Sequence, residues 1–282
     1  MVELDAGLGA MITASHNPSH DSGVKIFFRN GRKPTLDEEV SIESNLFKEN
    51  RKGAIQTYID EYNADAYTSK IADVARSMRD NCAIPDKEIL IDGSRGWISG
   101  WFCEKMTSMG INFREVSTRN RPINENSGAG SLSEGIVSWE DCRKSNHALL
   151  SQIEECPKGE VIGFSFDGDG DRCFLICSDG NAARIIGGDG FLRLSSKRIQ
   201  SKSNHLVAIT IESSLDITEI FSKKPGLVLI ETGVGDRWLQ HALMNGGGSP
   251  KLAAEPSGHI IMEQIAAGKK VYWGDGLVSM FG

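Results

Sequence analysis

Short apolar runs alternate with stretches of helical spacing from about residue 86 to the end of the chain. Glu88-Ile89-Leu90-Ile91-Asp92 reads as a buried strand, and Gly93-Ser94-Arg95-Gly96 as the turn that follows it. Trp97, Trp101, Phe102, Lys105 and Met109 recur three or four apart, which predicts a helix over 97–109 capped by Gly110. A strand at Ile111 to Val116, a Gly/Asn/Ser-rich loop over 119–131 and a helical stretch near 134–155 come next. Val161 to Phe166 and Cys173 to Cys177 are strands on either side of an acidic loop. The last hundred residues repeat the grammar, with helices near 187–200, 214–222 and 235–245 placed around strands at 206–211, 227–230 and 251–254. Alternation at this spacing argues for α/β units with mainly parallel sheets, whose ligands sit on the loops at the strand carboxyl ends.

Ahead of this block, the first fifty residues hold one clear strand, Val24 to Phe28, and one helix near 36–48. Two breaks divide the chain, the polar stretch Lys48 to Gly53 and the turn Asp179-Gly180-Asn181. The expected segments are therefore 1–53, 54–182 and 183–282. Both ends look cut. An apolar segment starts almost at once, and Gly274 to Gly282 opens a helix that does not finish.

Composition narrows the class. With 39% hydrophobic and 24% charged residues, the 282-residue chain can bury a core. Its 31 glycines follow no fixed period, so they point to shaped loops. A net charge of -7 argues against nucleic-acid binding through a broad basic field. No run approaches the roughly 18 apolar residues of a membrane span, and acids occupy the N-terminus where a secretory signal needs bases. Six cysteines without a CxxC pair read as reduced thiols. A cytoplasmic location is expected.

Four loops carry candidate chemistry. Thr13-Ala14-Ser15-His16-Asn17-Pro18, with Gly23 and Lys25 close behind, sets a serine beside a histidine and near a lysine. In isolation such a pair is most often a surface turn, and the hydrolase elbow is absent because Thr13 and Asn17 stand at its glycine positions. Asp167-Gly168-Asp169-Gly170-Asp171-Arg172 follows a strand directly, and its alternate carboxylates can converge on one hard cation. An EF-hand is excluded, since Arg172 and Ser178 stand where it needs glycine and glutamate. Few protein ligands and all-oxygen donors suit Mg²⁺, and Arg172 adds a phosphate fork. Glu255-Pro256-Ser257-Gly258-His259 offers a carboxylate and a hydroxyl to sugar hydroxyls, although alone it is an ordinary turn. Glu231-Thr232-Gly233-Val234-Gly235-Asp236-Arg237 is glycine-rich but lacks a Walker lysine or GxGxxG pattern.

In this order the loops resemble those of the α-D-phosphohexomutase family, which contains phosphoglucomutases, phosphomannomutases and phosphoglucosamine mutases. The serine loop matches T-A-S-H-N-P at Thr13 to Pro18, and the metal loop matches D-G-D-G-D-R at Asp167 to Arg172. The sugar loop matches at Glu255 to His259, with Ala254 for the usual glycine. Ile123-Asn124, the turn from Thr232 to Asp236, and Asp275-Gly276 match as well, while Ser22 replaces a common asparagine and Ser127-Gly128-Ala129 departs from the cysteine-glycine-serine pattern.

The resemblance implies three consecutive α/β domains, with mixed, mostly parallel sheets flanked by helices. The opening strand and the fourth, phosphate-gripping domain would be missing, so slow turnover is expected of this chain. It also implies Mg²⁺-dependent interconversion of hexose 1- and 6-phosphates through a bisphosphorylated sugar, which acts as activator and intermediate. Ser15 would carry the phosphoryl group, with His16 and Lys25 as candidates for proton transfer and charge stabilisation. Ser15, Asp167, Asp169 and Asp171 would hold the metal, and Arg172, Gly233, Glu255, Ser257 and His259 would meet substrate. Glucose, mannose and glucosamine are the candidate sugars, and a monomer or homodimer is expected, without nucleic acid or membrane. A non-catalytic sugar-phosphate binder and a phosphatase using the same metal loop are the competing readings.

Overall fold

The computed structural model describes residues 6–46, 65–80, 87–118, 120–199, 204–266 and 268–281. The break expected at 48–53 and Cys82 lie outside them. The first segment is an antiparallel ribbon of β1 (Leu8–Ile12) and β2 (Val24–Phe28), with Ile12 opposite Val24. It is followed by a 3₁₀ turn and α1 (Leu36–Leu46). The serine loop fills the bend between the two strands. Thr13 N–H donates to Gly23 O at 3.0 Å, and a Cβ at Gly23 would stand 2.9 Å from that threonine's carbonyl oxygen, so only glycine closes the bend without displacement.

After α2 (Asp65–Asp80) comes a six-stranded sheet. Its strands are β3 (Ile89–Asp92), β4 (Phe113–Glu115), β5 (Gly135–Ser138), β6 (Val161–Phe166), β7 (Cys173–Ser178) and β8 (Ala182–Ile186), in the spatial order β4-β3-β6-β7-β8-β5. The pairs β4–β3 and β3–β6 are parallel, and the rest antiparallel. The last part is a five-stranded sheet, order β10-β9-β11-β12-β13, built from β9 (His205–Thr210), β10 (Leu227–Thr232), β11 (Lys251–Ala254), β12 (Ile260–Ala266) and β13 (Lys269–Gly274). Here β9, β10 and β11 run parallel, and β12 and β13 extend the sheet as antiparallel strands. The α/β class therefore holds, but parallel pairing is confined to the βα units, and antiparallel ribbons complete each sheet.

Helices α3 (Trp101–Ser108), α4 (Trp139–Lys144), α5 (Gly188–Arg198), α6 (Leu215–Ser222), α7 (Asp236–Asn245) and α8 (Gly276–Phe281) flank the sheets. One apolar cluster packs Phe102 and Met106 of α3 against Ile89, Ile91 and Phe166, and reaches Leu277 and Phe281 of α8. A second gathers Trp139, Leu149, Phe174 and Ile176 on the other side of the middle sheet. Phe102, Met106, Leu149 and Ile176 are fully buried, so these clusters supply the rigid frame from which the loops project.

Three expectations need correction. The helix expected over 97–109 begins only at Trp101, because Gly100 at φ 91° interrupts the helical backbone before it. The stretch 134–155 is not one helix. Gly135–Ser138 is strand β5, Ser138 caps α4 by accepting from Asp141 N–H, and extended backbone at Ser145 ends that helix. The break near 179–181 is a hairpin turn, because Ala182–Ile186 pairs with both β7 and β5 and carries the middle sheet past the expected boundary. Arg184 in this strand, Glu263 in β12 and the adjacent Lys269 and Lys270 of β13 break the apolar pattern, and each strand pairs with its neighbour along a partly exposed face.

Candidate active site

The acidic loop is the bend of the β6–β7 hairpin. Asp167 follows β6 directly and is fully buried. Its Oδ1 accepts from Arg172 N–H at 3.1 Å, which closes the loop on itself. Backbone crowding selects the intervening glycines: a Cβ at Gly168 would lie 2.5 Å from Ser15 O, and Gly170 has a φ of 77°. Asp167, Asp169 and Asp171 each bring an oxygen within 4.8 Å of the others.

The serine loop is laid directly on these carboxylates. Ser15 Oγ donates to Asp167 Oδ2 at 2.5 Å, and Thr13 Oγ1 to Asp169 Oδ2 at 3.1 Å. Lys25, one residue into β2, bridges Asp169 at 2.5 Å and Asp171 at 2.7 Å. Ser15 itself has a left-handed φ of 54°, and its N–H is held by Thr13 Oγ1 at 2.8 Å. The adjacent side chain of His16 packs over Gly130, where a Cβ would stand 2.4 Å from that of the histidine.

The third loop reaches the same place from the five-stranded sheet. Buried His259 contacts Glu255 Oε1 at 2.7 Å through Nδ1 and Asp171 Oδ1 at 3.1 Å through Nε2. Ser257 Oγ donates to Glu255 Oε1 at 2.6 Å, and Gly235 N–H to Glu255 Oε2 at 3.1 Å. Cys173 N–H donates to Gly258 O at 3.0 Å, tying the loop to the start of β7. Arg172 is largely buried, with Nε 3.9 Å from Asp167 Oδ2. Of the residues singled out in the sequence, Gly233 alone stands apart, in the exposed turn after β10; it is Gly235 that touches Glu255.

Electrostatics follow from this crowding. Burial and the neighbouring Asp171 and Asp169 push the Asp167 carboxyl upward. Burial also works against charge at Asp171, but His259 and Lys25 outweigh it and hold that carboxyl well below its ordinary value. His259 loses solvent yet faces carboxylates at both nitrogens, which raises it to about 10 and makes it an imidazolium at neutral pH. Burial opposes the Lys25 ammonium, and Asp171 and Asp169 more than restore it. Burial, then the positive charge of Arg172, lowers His16.

The donor set fits a hard divalent cation. Asp169 Oδ1 is buried without a hydrogen-bond partner among the described residues, and three carboxylates with a serine hydroxyl are the oxygen ligands that Mg²⁺ prefers. Two residues outside the expected site join it: Asn124, matched in the sequence but given no role there, whose amide meets the serine loop, and Gln240, whose side chain meets Lys33 N–H at 2.8 Å. The Ile123-Asn124 match in a turn-rich stretch is the sequence signal of the first; nothing local marks the second.

The chain is similar to known proteins of one family. The family model described as phosphoglucomutase/phosphomannomutase, alpha/beta/alpha domain I, matches residues 1–53, and that of domain III matches residues 187–281. The chain is 28% identical to a phosphoglucosamine mutase of Paenarthrobacter aurescens over 288 residues, covering 99% of this chain and 56% of the relative. It is 30% identical to a phosphoglucosamine mutase of Renibacterium salmoninarum, covering 99% of this chain and 57% of the relative. It thus spans little more than half the length of these curated relatives. Among solved structures, a phosphoglucomutase/phosphomannomutase family protein from Burkholderia thailandensis superposes with a TM-score of 0.69 at 19% identity, over 97% of this chain and 54% of that one. The Aspergillus fumigatus N-acetylphosphoglucosamine mutase in complex with GlcNAc-6P and magnesium superposes with a TM-score of 0.63 at 17% identity, over 97% and 69%. At these identities the structural likeness speaks to the fold.

Proposed function

Because the chain belongs to the α-D-phosphohexomutase family, we propose that it moves a phosphoryl group between the 1- and 6-hydroxyls of a hexose phosphate, with Ser15 as the covalent carrier. The observation that carries this reading is the 2.5 Å approach of Ser15 Oγ to Asp167, within a group of three carboxylates in which Asp169 Oδ1 is buried without a hydrogen-bond partner among the described residues. The relatives named as phosphoglucosamine mutases make glucosamine phosphate the first substrate to test, ahead of the glucose and mannose phosphates.

Ser15, Asp167, Asp169 and Asp171 would hold Mg²⁺, which when bound supplies neutralisation of phosphoryl charge. The free hydroxyl of the sugar phosphate attacks the phosphorus of phosphoserine. A new P–O bond to the sugar forms as the P–O bond to Ser15 breaks. His16, whose protonated form burial disfavours, accepts the hydroxyl proton and passes it to the departing Ser15 oxygen, which leaves as the hydroxyl. Lys25 remains an ammonium and offsets charge on the transferring group. Glu255 and Ser257 present an acceptor and a hydroxyl to the sugar ring, and Arg172 faces phosphate. His259, paired at both nitrogens, holds the sugar loop against the acidic loop. The bisphosphate then turns over and returns its other phosphate to Ser15.

The test is incubation of the chain with Mg²⁺ and glucosamine or glucose 1,6-bisphosphate, followed by peptide mass spectrometry. Phosphate is expected on Ser15, with conversion of sugar 1-phosphate to 6-phosphate. Phosphate confined to another residue would overturn the carrier assignment, and release of inorganic phosphate without isomerisation would make the protein a phosphatase.

A further inference from the structure

We infer that Asn124 is a positioning residue for Ser15, clamping the serine loop to the middle sheet through its side-chain amide; the consequence for turnover rests on the reading above. Nδ2 of Asn124 has two hydrogens, and both are used. One goes to Ser15 O at 2.8 Å and the other to Asn17 O at 2.7 Å. The amide cannot be turned round, because its oxygen would then face two carbonyl oxygens. Its Oδ1 instead accepts from Ser94 Oγ at 3.0 Å.

The clamp is anchored in the core. Asn124 N–H donates to Ser94 O at 3.0 Å. Ser94 N–H in turn donates to Asp92 Oδ1 at 2.9 Å, and the other oxygen of fully buried Asp92 accepts from Gly128 N–H at 2.7 Å and Ser165 Oγ at 3.1 Å. Arg95 secures the rest of the turn, donating to Glu125 O at 2.6 Å and Ser127 Oγ at 2.8 Å. A continuous set of hydrogen bonds therefore runs from the end of β3 to the backbone of Ser15. From the other side Gly168 closes on the same carbonyl, leaving no room for even a methyl group. Ser15 needs such a hold, since its left-handed backbone is unfavourable for a residue with a Cβ. A displacement of about 1 Å at a reacting centre can cost 10²-fold in rate.

Asn124→Asp isolates the donor. It preserves size, tolerance of the left-handed backbone and an acceptor for Ser94, but turns an oxygen towards two carbonyls. In the full chain, hydrogen exchange of peptides covering 13–18 should quicken in this variant, while those covering 161–166 stay as in the parent. Phosphorylation of Ser15 by glucose 1,6-bisphosphate with Mg²⁺ should slow by about 10- to 100-fold with little change in KM. Ser94→Gly, which relieves the serine's own positive φ and removes its hydroxyl, should give a smaller change in the same direction. Unchanged exchange over 13–18, or an unchanged phosphorylation rate, would overturn the inference. A parent chain that never takes phosphate on Ser15 would instead defeat the mutase reading, and the exchange measurement alone would then decide the clamp.

Discussion

The N-terminal ribbon and the middle sheet contribute to one site on opposite terms. The strands β3 and β6 lie among side chains with almost no exposure, and the Asp167 that follows them inherits that rigidity. The ribbon, by contrast, leaves Leu8, Ile12 and Val24 at 61%, 73% and 58% exposure. Among residues 6–46, Gly31 is the one that is buried, pressed against the Trp273 ring at a φ of 71°. The segment that bears the proposed nucleophile thus has no core of its own. It is placed by polar contacts: Lys25 on the acidic loop, Asn124 on the serine loop, Lys33 on Asp236, Arg237 on Glu39, and Gln240 on Lys33 N–H and Gly31 O. Hydrophobic burial sets the position of the metal ligands, whereas hydrogen bonds and ion pairs set that of the serine.

The contrast can be broken from either side. Phe102→Ala should cost about 3–5 kcal/mol of stability by opening a cavity in the middle core, measured as a lower denaturant midpoint; a change below about 1 kcal/mol would show that the frame is not what holds the acidic loop. Asp169→Asn leaves the core alone but removes charge opposite Lys25 and an oxygen from the metal group. Phosphoryl transfer should fall by about 10²–10³-fold at nearly unchanged melting temperature, and Mg²⁺ binding followed by calorimetry should weaken. Equal Mg²⁺ affinity in variant and parent would remove Asp169 from the ligand set.

Gln240→Ala strips the buried side chain that joins Gly31 and Lys33 to the carbonyl of Tyr272. Leaving those groups unpaired should cost about 1–3 kcal/mol, expressed as faster proteolysis within residues 6–46 before any cleavage of the middle sheet. Simultaneous cleavage of both regions would mean that they unfold as one. The smallest effect belongs to Ile12→Ser. At an exposed strand end it should change stability by no more than about 0.5 kcal/mol, and a larger loss in thermal denaturation would reveal apolar contacts that the ribbon otherwise lacks.

The elements legible in the sequence were those whose period matched their environment. Leu206 to Ile209 is apolar without interruption because it is covered on both faces, and the structure has β9 there. Strands with one exposed face were harder to see. Ala182–Ile186 carries Arg184 outward, and Lys269–Gly274 opens with two lysines, so local polarity resembled a loop. The 134–155 stretch misled in the opposite sense, since Trp139 and Cys142 keep helical spacing for scarcely two turns before the chain changes direction.

For the site, the chemistry of each loop was local and the association between loops was not. Residue type and spacing within Thr13 to Pro18, Asp167 to Arg172 and Glu255 to His259 determined which groups could bind an ion, a phosphate or a sugar, because those properties belong to side chains a few bonds apart. Only the folded chain decided that Ser15 meets Asp167 across 152 positions of sequence, that Lys25 joins Asp169 and Asp171, and that His259 is charged between two carboxylates. The physical reason is that burial, Coulomb interaction and hydrogen bonding depend on distance in space. Those distances are fixed by sheet pairing and by backbone approaches such as that of Gly168 to Ser15.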